Sequence, residues 1–120
     1  METGYPKAVV SLVSLADGTT SLYISNGGGF IGGGQYEPVA QASKSFVTAA
    51  EGYFSKMTLT DSFPSPAPER VKFYILTYSG IYTADIEEID LVGNNHELST
   101  LYYYGHKVIT QLRLVQEQKK

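Results

Sequence analysis

Few residues of this 120-residue chain could carry chemistry, and the first candidates are a run of glycines. Gly27, Gly29 and Gly32 satisfy G-x-G-x-x-G inside the segment NGGGFIGGG, which also holds Gly28, Gly33 and Gly34. Between a strand and a helix, such glycines let the backbone close on a pyrophosphate at the helix N-terminus. The surroundings do not fit that use. The strand ahead belongs to a hairpin, the next helix begins only near Glu37, and no parallel strand ending in an acid follows. A phosphate loop is excluded too, because no Lys-Ser or Lys-Thr pair comes after the glycines. The run is first a bulged or mobile connector, and second a backbone nest for a small molecule or anion.

His96 and His106 are the only histidines. On one helix they would stand about 280° apart around the axis, so they cannot chelate one ion together. Each reads as a surface or boundary histidine. Asp85, Glu87, Glu88 and Asp90 form an acidic cluster, and carboxylates at alternating strand positions would share a face able to hold a hard cation. The spacing lacks the glycine and terminal glutamate of an EF-hand loop, so a solvated strand edge or loop is the simpler reading. Tyr102, Tyr103 and Tyr104 are consecutive and point three ways on a helix. Tyr102 belongs inside; Tyr103 and Tyr104 flank it, either as boundary packing or as interface anchors. There is no cysteine, which removes disulfides, thiolate catalysis and cysteine-based zinc sites. No nucleophile, base and orienting group can be assembled from spacing, so no enzyme, no cofactor and no metal are expected.

The elements that would position these residues show in the hydrophobic periodicity. Lys7 to Leu15 and Thr19 to Ser25 read as a hairpin turning at Asp17-Gly18. A helix starts at Glu37-Pro38 and carries an apolar stripe from Val39 and Ala42 through Phe46 and Ala50 to Met57. Thr58 to Arg70 contains three prolines and reads as a loop. Val71 to Thr77 and Ile81 to Ile86 form a second hairpin around Ser79-Gly80, and residues 87–92 either extend its second strand or add a short fifth one. Asn94 and Asn95 offer caps for a second helix, with Glu97 three residues after Asn94 in a capping-box arrangement. Its stripe runs from Leu98 and Leu101 to Leu112 and Val115. Gly105 within it points to close approach of another backbone, and Lys119 and Lys120 suit its negative end.

These elements make one α+β domain over residues 1–120: an antiparallel four- to five-stranded sheet with two helices on one face, in the order β-β-α-β-β-(β)-α. The halves 7–57 and 71–118 look alike at an offset that relates Tyr23 to Tyr82, Gly34 to Gly93 and Val39 to Leu98. Duplication or shared patterning would each explain this. The element order, from Lys7 to Gln118, resembles the longin, roadblock and profilin-like group of small domains, without their sequence motifs and without the N-terminal helix of roadblock proteins. That resemblance implies a scaffold or regulatory binding module.

Composition narrows the field further. The chain is 42% hydrophobic and 18% charged, which excludes a disordered chain. Its net charge of -3 comes without a basic stripe, which excludes generic binding to nucleic acid. Nothing approaches the ~20 apolar residues that a membrane span needs. The run Ala8 to Ala16 reads as a strand rather than a signal segment, because serines dilute it and Asp17-Gly18 turns the chain at once. A cytoplasmic location fits the lack of cysteine. With both helices on one sheet face, Val10, Leu12, Tyr74 and Leu76, or their neighbours in the opposite register, are left for the other, and a soluble monomer rarely leaves such a patch in water. The expectation is a non-enzymatic protein-interaction or scaffold domain, pairing with itself as a homodimer or with another protein. The alternative is a small-molecule or anion-binding domain using the loop 26–34.

Overall fold

A computed structural model describes residues 1–118 of the chain. Lys119 and Lys120, assigned above to a helix end, lie outside the described residues. Among those residues, seven strands form one antiparallel sheet: β1 (Glu2–Gly4), β2 (Val9–Ser14), β3 (Thr20–Ile24), β4 (Gly29–Phe30), β5 (Thr58–Thr60), β6 (Arg70–Thr77) and β7 (Gly80–Glu87). Their order is β4-β3-β2-β1-β6-β7-β5. Three α-helices accompany them: α1 (Glu37–Glu51), α2 (Glu88–Val92) and α3 (Ser99–Gln118). The α+β class is as expected, but the sheet is larger than four or five strands and a third helix is present. The extra strands β1, β4 and β5 are three, two and three residues long, too short to show a period.

Strand register decides which side chains meet the helices. Cross-strand pairs Thr3–Val10, Leu12–Leu22, Thr3–Val71, Val71–Ile86 and Phe73–Ala84 run across one face. On that face Leu12, Val71, Phe73 and Ile86 are buried in one core with Val39, Phe46, Leu101, Val108 and Leu112 of α1 and α3. Full burial of each such side chain stabilises by about 1.5–3 kcal/mol. A polar trio fixes α1 on the first hairpin. Ser43 is buried and bonds Thr20, whose hydroxyl also donates to Gly18 O at 2.9 Å, and Ser14 lies 2.9 Å from Ser43.

Val10 and Leu12 lie on the helix-covered face, and Leu12 is only 3% exposed. Both faces of β2 are apolar, so its pattern did not choose between them; the hydroxyls of Ser14 and Thr20 did. Helix α1 stops at Glu51, not Met57, because Gly52 breaks it and residues 54–56 form a single 3-10 turn. Strand β7 extends by one residue to Glu87, and residues 88–92 are then a helical turn and no strand: the Glu88 amide donates to Glu69 O, and Leu91 is fully buried beneath it.

The cap of α3 is also displaced. The His96 Nδ1 accepts the Leu98 amide at 3.0 Å, and Ser99 Oγ accepts the His96 amide at 3.3 Å, a reciprocal capping pair two residues past Asn94 and Glu97. Asn94, at φ 57, instead closes the end of α2. Gly105 does allow close packing, but against side chains: a Cβ there would sit 2.7 Å from Met1 Cε and 3.2 Å from Phe46 Cζ. At the 59-residue offset, Tyr23 and Tyr82 fall on opposite faces of the sheet, Tyr82 on the helix-covered one.

Candidate functional site

The helix-free face is the place to search first. It presents Val9, Ser11, Val13 and Tyr23 on the first hairpin, then Glu2, then Arg70, Lys72, Tyr74 and Leu76 on β6, and Ile81, Thr83, Asp85 and Glu87 on β7. Its centre is charged and internally paired. Arg70 lies 2.7 Å from Asp85 and 3.6 Å from Glu87, so the alternating carboxylates hold a guanidinium.

A loop crosses this face. Tyr74 donates its hydroxyl to Pro64 O at 2.8 Å, Lys72 donates to the same oxygen at 3.1 Å, and the ring of Phe63 stands 5.6 Å from that of Tyr74. Farther along, Pro66 is buried, and Glu69 donates its amide to Gly4 O at 2.9 Å. A Cβ on Gly4 would lie 2.1 Å from Ala67 O. Three prolines hold this loop extended, so it serves as a strap over β1 and β6. Sequence reasoning left the whole face in need of a partner; the chain supplies part of the cover itself.

Beyond the strap one end stays open. Leu76 is 75% exposed, Tyr78 in the turn is fully exposed, and Phe63 is more than half exposed. Leu76 and Ile81 are cross-strand neighbours beside Tyr74, so these groups gather at one hairpin tip, whereas Leu59, the register partner of Tyr82, belongs to the helix-covered face. Of the four sheet residues expected at an interface, Tyr74 and Leu76 are here; Val10 and Leu12 are not.

The other candidates are scattered. Tyr103 is exposed and donates to Val92 O at 3.0 Å. Tyr104 is half-buried beside a shallow groove of about 320 Å³ lined by Lys44, Ser45, Thr48 and Ala49, with Lys107 Nζ 5.0 Å from its ring centre. The glycine run divides in two. Gly33 and Gly34 are pinned, since a Cβ would meet Leu112 Cδ2 or Gly18 O at 2.5 Å, and Gly29 pairs with Tyr23 in the sheet. Only Gly27, Gly28 and Gly32 have open space around them, all at positive φ.

One cluster escaped the sequence reading. Tyr102, buried, donates to Glu88 Oε2 at 2.7 Å, and its ring lies 4.3 Å from that of His106. Burial first, and then the bond to Glu88, raises the phenol well above its ordinary range. Burial also lowers the His106 pKa, with Glu88 partly opposing, and its Nε2 is buried with no hydrogen-bond partner. A helical step of four places Tyr102 over His106, which spacing could have shown; the link to Glu88 required α2. A carboxylate already engaged by a phenol is poorly placed to act as a base, so the cluster reads as a structural clasp of α2 on α3. Among the described residues no group of three or more His, Asp or Glu could hold a metal ion, and no helix is long and apolar enough to cross a membrane.

Comparison with known protein families, curated proteins and solved structures finds no match. The chain's own geometry must carry its functional reading.

Proposed function

We propose that this chain is a non-enzymatic protein-interaction domain that pairs with a second copy of itself through the open end of the helix-free face. The observation that supports this is the group of exposed apolar side chains of that face around the β6–β7 tip, Phe63, Leu76 and Tyr78. Isolated exposed apolar residues are ordinary, but a contiguous group marks an association surface. Charges on the same face, at the far end of the hairpin, favour a second copy. Arg70 and Lys72 stand beside Glu2, Asp85 and Glu87, so a two-fold axis can set opposite signs against each other.

Sedimentation velocity of the whole chain across micromolar to millimolar concentration tests the proposal. A monomer–dimer equilibrium is expected, weakened at least tenfold in Leu76→Lys and left intact in Val13→Lys, which changes an exposed residue of the same face at the opposite hairpin. A strict monomer at every concentration discards the reading.

A further inference from the structure

We propose that the outer side of α2, together with Tyr5 and Tyr103, is a second docking surface, and that its occupant is a basic amphipathic helical segment of another protein. A short surface helix should hide its apolar side and show a polar one. Helix α2 does not. Leu91 is fully buried beneath it, yet Ile89 is 74% and Val92 55% exposed, three residues apart on the outward side. Tyr103 is fastened beside them through Val92 O, and Tyr5, also exposed, lies close enough to Glu88 to feel its charge. The clasp from Tyr102 to Glu88 holds this apolar side outward.

Charge selects the occupant. Asp85, Glu87 and Asp90 all act on Arg70, and Glu88 and Glu69 adjoin them. The chain's net charge is only -3, so this corner holds most of its uncompensated negative charge. An apolar strip ringed by carboxylates suits a helix with leucine-like side chains along one stripe and lysine or arginine at its margins. A two-fold contact with a second copy would bring acid against acid, so this surface does not duplicate the one proposed for self-association.

The test uses the whole chain, isotope-labelled, and a synthetic 18-residue peptide of leucine and lysine with leucines at three- and four-residue steps. Amide shifts read at 50 mM salt should change at residues 87–92 and around Tyr103, with little change at Leu76 and Tyr78. Affinity should fall at least tenfold in Ile89→Ser/Val92→Ser and about threefold in Asp90→Asn. These residues are exposed, so unchanged spectra elsewhere will show that the variants fold. No binding, equal binding of the same peptide with glutamate in place of lysine, or shifts spread over Asp17, Glu51 and Asp61 would each overturn the proposal. A response confined to the β6–β7 tip would also overturn it, and would return the peptide to the self-association surface.

Discussion

The two long connectors of this chain, residues 26–34 and 61–69, are rich in glycine and in proline respectively and behave in opposite ways. The glycine connector brings backbones together: Gly33 and Gly34 slide under Leu112 and against Gly18, and α1 can start close to the first hairpin. The proline connector cannot fold tightly, so it stays extended and lies across the helix-free face as a strap. One connector works by lacking side chains and the other by lacking freedom. Loop composition therefore shows whether a segment yields to its neighbours or covers them.

Breaking the strap should have the largest effect. Gly4→Val drives a side chain into Ala67 O and should cost about 3 kcal/mol or more, seen as a lowered denaturant midpoint together with faster proteolysis in residues 61–69. A fall of less than ~1 kcal/mol would mean that the strap does not bear on β1.

The next test concerns the strand beneath the strap. The Met1 amino group is buried and donates to Leu12 O at 3.0 Å; burial lowers its pKa from 8.0 to about 6, against a smaller opposing effect of Glu2. The unfolded chain thus binds a proton between those values that the folded chain refuses. Stability contributed by the neutral amine is complete above pH 8 and is lost as pH falls toward 6, by about 2–3 kcal/mol. His106, also held below its ordinary range, adds a loss of the same sign below pH 6.5. Urea melts at intervals from pH 8.5 to 5.5 will show the slope, and His106→Phe should remove only its lower part.

Two smaller effects separate the connectors. Tyr74→Phe deletes the hydroxyl that donates to Pro64 O and should cost about 1 kcal/mol, loosening the strap without touching the core. Gly28→Ala meets no atom within 4 Å but must hold φ at +91°, so thermal melts should register about 1–2 kcal/mol, still below Gly4→Val. Should Gly28→Ala prove worse than Gly4→Val, the contrast between the connectors fails.

The long elements were legible because their periods are long. The stripes of α1, as far as Glu51, and of α3, and the turns at Asp17-Gly18 and Ser79-Gly80, stand where the sequence places them. The face of β2 was not legible. Val9, Val10, Leu12 and Val13 suit either side, and the choice rested on hydroxyl contacts to Ser43, a residue 29 positions from Ser14. Helix α2 was hidden by its acids, which read as a solvated edge until Leu91 is seen beneath them. The exposed end around Leu76 was half legible: the apolar residues were visible, while the strap that covers their neighbours was not.

Strand β1 has one further consequence. It is the only sheet element between β2 and β6, so the two hairpins meet in the sheet through three residues. Its pairing with Lys72 and Val71 spans about seventy positions. During synthesis, Glu2 to Gly4 must wait for β6 before their second row of hydrogen bonds can form, while the first hairpin closes early. The seam of the sheet is made of some of its oldest residues, and it is among the last parts to be sewn.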